Sequence, residues 1–289
     1  MTWLLFAFLT ALTESLKDIT GKLNLRHVDE FTVTSCMTSF AALILAPLLF
    51  FLPTPDLTLR FWILLFGATS LFSWSLILYF RAIRASDLSL SVPLVMYSPL
   101  FILFLSPILV GELPTPLGVL GVFLIVIGSY LINIRARHIG WYAPFQALVR
   151  EPGPRLMLFV ALIWSFTANL DKLGLQASSP VFWGVCHTVS TATICTTYTL
   201  LKRRPPWHAV KRAAPALALL GVLQAAHVIC YMITMGLALV VYGIAMKRAS
   251  VLITIVIGSY WLKEDGVRER LTGAGIMLGG VIAILLSRQ

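Results

Sequence analysis

The chain has 289 residues, of which 58% are hydrophobic and only 12% charged, and it carries a net charge of +10. No water-soluble domain of this size could cover so much apolar side chain, so the composition excludes a soluble enzyme or binding module and calls for lipid as the solvent. The positive charge is spread over connections and span ends and forms no tract with interleaved aromatics, which removes nucleic acid as a partner.

Met1 and Thr2 lead directly into apolar sequence with no basic flank, so the first stretch reads as a membrane helix and not as a secretory signal. Charge-poor windows long enough to cross hydrocarbon follow at 3–20, 31–52, 61–80, 88–110, 116–134, 155–173, 180–201, 214–236, 239–262 and 270–287. They predict an all-α integral membrane fold of about ten transmembrane helices joined by short loops. The longest connection, 135–154, holds Arg135, Arg137, His138, Arg150 and Glu151 and separates a first repeat at 1–134 from a second at 155–289.

Internal similarity supports that division. ALTESLKDITGKLNL at 11–25 lies against ALIWSFTANLDKLGL at 161–175, pairing Ser15 with Ser165 and Lys22 with Lys172; further on, Glu112 pairs with Glu264, Gly121 with Gly273 and Gly128 with Gly280. An odd number of spans per repeat forces the halves to enter the membrane from opposite sides. The expected architecture is therefore two inverted five-helix repeats around a central cavity. Counting basic residues by side sets Lys22, Arg26, Arg81, Arg84, Arg135, Arg137, Arg150, Arg155, Lys202, Arg203, Arg204, Lys211, Arg212, Lys263, Arg268 and Arg270 against Arg60, Lys172 and Arg288. The positive-inside rule then puts both termini outside.

An ionisable group at membrane depth costs at least about 2 kcal/mol, which makes it a functional candidate unless it snorkels to the interface. Lys247 and Arg248 meet that test best: they stand eight or nine residues into the ninth span, roughly 12–14 Å along a helix. Ser250 and Thr254 continue a polar stripe from Lys247. The bland alternative is a snorkelling or internally paired basic dipeptide. In the sixth span Trp164, Thr167 and Asp171 stand at helical spacing with Asn169 and Lys172 close by, and an end-of-helix charge pair is the competing reading of Asp171 and Lys172. In the first span Glu14, Lys17, Asp18 and Lys22 have spacings that allow intrahelical neutralisation, and Glu14 is equally a candidate for carrying a proton. Gln224, His227 and Tyr231 share a face of the eighth span, and Trp183 and His187 share one of the seventh. Trp74, Tyr79, Tyr97 and Ser98 are candidates to line a cavity, although Trp and Tyr also mark the membrane interface. Pro93, Pro99 and Pro107 make the fourth span the one expected to bend.

Nothing in the chain announces catalysis. Cys36, Cys186, Cys195 and Cys230 form no CxxC pair, the histidines are scattered, and there is no HExxH, GxSxG or GxxxxGK[ST]. No metal, no cofactor and no catalytic residue are expected. Both halves lie in one chain, so a monomer is the expectation.

Two halves of five spans, the junctions at Gly111-Glu112 and Lys263-Glu264, and the glycine-spaced last helices together resemble the drug/metabolite transporter superfamily, of the bacterial EamA type. The resemblance covers essentially the whole chain. It implies a multi-pass protein of the bacterial inner membrane, with a cavity lined mainly by the third, fourth, eighth and ninth helices and with termini that are usually cytoplasmic, against the charge count. MKRASVLITIV at 246–256 is similar to the Lys-Arg segment of plastid phosphate translocators and their nucleotide-sugar relatives, and SFTANLDKLGLQASSP at 165–180 to the segment that supplies a further phosphate-binding lysine, here Lys172.

The expected function is alternating-access transport of a small organic metabolite bearing an anionic group. Lys247, Arg248 and Lys172 would hold the anion, and Ser250, Tyr97, Ser98, Trp74, His227, Tyr231, Gln224, Trp164 and Asn169 would shape the site. A competing expectation is a proton-coupled exporter of amino acids or drugs, using Glu14, Asp171, His187 or His227. A reading from another class is an intramembrane lipid-phosphate-handling protein or enzyme, for which the required base and nucleophile are only dispersed candidates.

Overall fold

Hydrocarbon offers no hydrogen bonds, so an apolar segment within it must satisfy its own backbone, and the apolar windows are helical for that reason. The computed structural model describes residues 2–25, 28–85, 94–135, 150–202, 207–250 and 267–287. Among the described residues the windows become ten α-helices: α1 Thr2–Asn24, α2 Glu30–Leu45, α3 Leu59–Ala85, α4 Ser98–Leu109, α5 Pro116–Arg135, α6 Pro152–Gln176, α7 Pro180–Lys202, α8 Trp207–Leu237, α9 Val240–Arg248 and α10 Val267–Leu286. A 3₁₀ turn at Ala46–Phe50 prolongs α2. Glu30–Phe50, Leu59–Tyr79, Pro152–Gln176 and Val210–Leu237 are each long and apolar enough to cross a membrane, and Ser98–Leu109, Pro116–Leu131 and Thr272–Leu286 are shorter apolar helices. Phe50, Phe51, Phe66, Phe104 and Ile108 are largely exposed, as side chains that face lipid tails must be. The expected spans 88–110 and 239–262 are represented by α4 and α9; residues 86–93 and 251–266, including Pro93, Thr254, Lys263 and Glu264, lie outside the described residues.

The chain forms two compact units, one of Met1–Ile77 with Leu170–Leu237 and one of Leu78–Asn169 with Ala238–Gln289. Each unit draws on both predicted repeats, and α3 and α6 contribute residues to both.

In the first unit α8 packs against α1, α2 and α7, and α2 packs against α7. Val28, Val33 and Met37 meet Ala213, Leu217 and Leu220 in its core. Hydroxyl pairs stitch α2 to α7: Ser35 Oγ lies 2.6 Å from Thr199 Oγ1 and Ser39 Oγ 2.8 Å from Thr196 Oγ1. Apolar side chains gain nothing by leaving lipid for one another, so such ties and close packing hold membrane helices together.

In the second unit α5 packs along α10, and α9 packs on α4 and α5. Glycine sets how closely α5 and α10 approach. A Cβ at Gly121 would stand 2.7 Å from the carbonyl oxygen of Gly280, one at Gly280 would stand 2.6 Å from that of Gly121, and one at Gly128 would stand 2.6 Å from that of Gly273. Position numbers rise along α5 as they fall along α10, so the two helices are antiparallel.

Two interruptions position the polar groups. Pro99 has no N–H to give the carbonyl one turn back, and the chain makes a turn at Met96–Tyr97 before α4 begins at Ser98, so the fourth span is interrupted there. At the other end of the chain α9 stops in a turn at Ala249, with Lys247 and Arg248 in its last turn, where the helix dipole favours cations.

Replacing Gly280 by alanine is expected to destabilise the protein by about 1–3 kcal/mol, because the new methyl meets backbone that cannot swing aside. At Gly275 a Cβ would meet nothing within 4 Å, so alanine there should be neutral or stabilise by up to about 1 kcal/mol. Thermal melts of the purified variants separate the two outcomes.

Candidate functional site

The second unit gathers a cationic site at the two interruptions. Arg248 is buried, and its Nε and Nη2 donate to Ser98 Oγ at 3.1 and 2.9 Å. Its guanidinium lies 5.5 Å from the centre of the Trp164 ring, and Trp164 in turn packs on Tyr79 with ring centres 5.2 Å apart. Both bonds go to one neutral oxygen, and together they fix the direction of the guanidinium. The aromatic face adds cation–π attraction that strengthens with desolvation. Ser165 packs against the same residue: its hydroxyl, 2.6 Å from the Ala161 carbonyl on its own helix, also stands 3.0 Å from the Ser98 carbonyl. One turn along α6, Asn169 donates from Nδ2 to the Ser165 carbonyl at 2.7 Å, while its Oδ1 is buried with no partner among the described residues.

The helix that carries Arg248 is anchored at its other end. Val240 opens α9, and its N–H is one of the donors a helix start leaves unsatisfied. Leu239 at the cap position has no side chain to accept it, and Glu112 does so from across the unit, Oε2 to N 2.7 Å. Gly111, at φ +79°, makes the turn out of α4 that delivers Glu112. Tyr242 is almost wholly buried and accepts the Thr115 N–H at 3.2 Å, in space that Gly118 leaves open.

The first unit holds two carboxylate–histidine pairs. Glu14 forms an ion pair with Lys17 on the same helix, and its Oε2 also lies 3.4 Å from Nε2 of His227 on α8. Asp171 on α6 accepts the indole N–H of Trp183 at 3.0 Å and stands 3.7 Å from Nε2 of His187 on α7. Trp183 reaches this position against Gly174, where any side chain would collide with the ring. The neighbouring Lys172 is buried and donates from Nζ to the Met235 carbonyl at 2.6 Å.

Of the residues singled out in the sequence, Tyr97, Ser98, Trp164, Asn169, Lys247, Arg248 and Ser250 belong to the second unit. Arg248, Ser98 and Trp164 are in direct contact; Tyr97 packs on Tyr130 with ring centres 6.1 Å apart, Ser250 is buried and Lys247 is half-buried. Glu14, Asp171, Lys172, His187, Gln224, His227, Tyr231 and Trp74 belong to the first unit. His227 stacks on Tyr231 with ring centres 5.8 Å apart, Gln224 is buried with Oε1 unpartnered among the described residues, and Trp74 is 47% exposed. Asp171 and Lys172 are both buried within α6 and engage α7 and α8, not the solvent as an end-of-helix pair would. Sequence reasoning missed Ser165 as a neighbour of Ser98, Glu112 as the cap of α9, and the Thr115–Tyr242 tie. The repeated Glu112 was the available signal for the second of these.

Helices of this length and apolarity, with charged residues buried among them, define a polytopic integral membrane protein. Residues 1–134 match the model of the EamA-like transporter family. A solved structure described only as "Crystal structure of protein" matches with a TM-score of 0.76 over 100% of this chain and 99% of that one, at 19% identity, a likeness of fold. No curated protein matches the chain.

Ser98→Ala removes the acceptor of both Arg248 bonds and is expected to cost about 1–2 kcal/mol, read from melting of the purified protein. Glu112→Ala should cost about 1 kcal/mol through the lost cap, and Glu112→Gln, which keeps an acceptor oxygen, should retain most of it.

Proposed function

We propose that this protein is a secondary transporter that moves a small organic metabolite with an anionic group across the membrane by alternating access. The observation that carries the reading is the buried guanidinium of Arg248, aimed by a neutral hydroxyl and backed by an indole ring. A planar cation with a fixed direction in a low-dielectric setting is suited to a carboxylate, phosphate or sulfate group, and Lys247 beside it adds a second positive charge. The unpartnered Oδ1 of Asn169 offers an acceptor for a donor group elsewhere on the metabolite.

The two helix interruptions support the same reading. Half-helix ends that meet at polar groups are where secondary transporters hold their substrates. The offset that aligns Glu112 with Glu264 and Gly121 with Gly273 also aligns the turn residue Tyr97 with the turn residue Ala249, so both proposed repeats break at one equivalent place. The antiparallel glycine contact of α5 with α10 supports inverted repeats.

The test is thermal stability of the purified full chain against sulfate, phosphorylated metabolites, carboxylates, amino acids and cationic drugs, since a ligand that binds the folded state raises stability by mass action. One anionic class should raise the melting temperature of the wild type and fail to do so in Arg248→Ala, with Lys247→Ala intermediate. Stabilisation by neutral or cationic compounds alone, equal in all three proteins, would make the Lys-Arg pair structural and overturn the reading.

A further inference from the structure

The anion site leaves the charged groups of the first unit without a role, and the contact of Glu14 with His227 has a stereochemical consequence. Thr13 Oγ1 lies 2.7 Å from the Leu9 carbonyl, 3.1 Å from the Thr10 carbonyl and 3.4 Å from Nδ1 of His227. A hydroxyl has one proton, and the shortest contact takes it, back to the helix carbonyl four residues before, a common habit of Thr in helices. Thr13 Oγ1 is then an acceptor toward His227, and Nδ1 must carry the proton between them. A neutral imidazole protonated on Nδ1 presents a bare lone pair at Nε2. That lone pair would face Glu14 Oε2 at 3.4 Å, acceptor against acceptor, unless a further proton lies between them.

We propose that Glu14 and His227 form a proton-binding site, in which one dissociable proton held between Nε2 of His227 and Oε2 of Glu14 ties α1 to α8. With the proton bound, the contact is an imidazolium against a carboxylate, or its equivalent with the proton on oxygen. When the proton leaves to water, a neutral imidazole retains its Nδ1–H toward Thr13, the carboxylate keeps its ion pair with Lys17, and the Glu14–His227 tie is lost while Thr10–Thr234 and Asn24–Ala216 still join the helices. Among the described residues, Lys17 on α1 pairs with the carboxylate and Tyr231, one turn along α8, stacks on the imidazole. On the other helices packed on α8, His187 of α7 turns to Asp171, and Glu30 of α2 lines a separate cleft with Phe31 and Tyr198. In a carrier, a proton that locks two helices is a coupling proton. That use rests on the transport reading above, whereas the existence of the site does not.

His227 is the one histidine preceded by alanine, Ala226, so pairwise labelling of alanine carbonyl carbon and histidine nitrogen assigns its ring by NMR in the full chain without mutation. Between about pH 5 and pH 8, where histidines titrate, Nδ1 should stay protonated while the proton at Nε2 exchanges with pH, and Glu14→Gln should abolish that exchange. A neutral ring protonated on Nε2 and bare at Nδ1, or a ring indifferent to Glu14→Gln, would overturn the site. Thermal melting provides the second readout: the wild type should lose stability as pH rises through this interval, Glu14→Gln and His227→Gln should not, and His187→Gln should behave as wild type. If His187→Gln alone removes the pH dependence, the proton resides at Asp171 and the proposal fails. Failure of every anion to stabilise the protein would count against the transport reading and leave the His227 result standing.

Discussion

A backbone group without a partner in hydrocarbon costs several kcal/mol, on the order of the entire net stability of many domains, and that constraint decides where this chain can stop being helical. Each described interruption has its compensation beside it. Pro99 lacks the N–H that the turn at Met96–Tyr97 would otherwise orphan, and the first donor of α9 is taken by Glu112. The polar groups freed at these places then become available for other work. Ser98 has a hydroxyl to offer Arg248 because it opens a helix. Arg248 lies at the end of α9, where its charge is favoured by the helix dipole. Glu112 connects the two ends of this arrangement, since the helix it caps at Val240 carries Arg248 in its last turn.

The same constraint explains how much could be read in advance. Long apolar windows have one solution in lipid, and every predicted window contains a described helix. Lys247 and Arg248 stood out for the cost of their burial alone, and Arg248 is indeed buried. Composition does not say what a buried charge touches. Ser98 and Arg248 were separate candidates because their contact joins segments far apart in the chain, and no local spacing encodes it. Glu14 illustrates both cases: its ion pair with Lys17 follows from helical spacing, while its approach to His227 depends on how α1 and α8 pack. Pro99 signalled the break in the fourth span. The turn at Ala249 has no such mark, because Lys247, Arg248 and Ala249 are all good helix formers.

The glycine contacts bear on how the halves are related. In the sequence Gly121 corresponds to Gly273 and Gly128 to Gly280. In space Gly121 meets Gly280 and Gly128 meets Gly273. Exchanging each residue for its counterpart turns the first contact into the second, so the pattern maps onto itself. An interface with that property is isologous and implies a two-fold axis between the helices. Here the two surfaces belong to one chain, and the helices are antiparallel, so the axis is perpendicular to them. For two helices that cross a bilayer, such a local axis lies in the membrane plane, which is the relation the proposed inverted repeats require. Tyr97 and Ala249, the paired turn residues, obey the same correspondence. By the same offset Ser98 corresponds to Ser250 and Arg248 to Met96, so the hydroxyl recurs at the second turn while the guanidinium has no charged counterpart at the first. The contact between the two turns is asymmetric for that reason: Arg248 at one reaches Ser98 at the other, and Met96 has no donor with which to reach Ser250 in return.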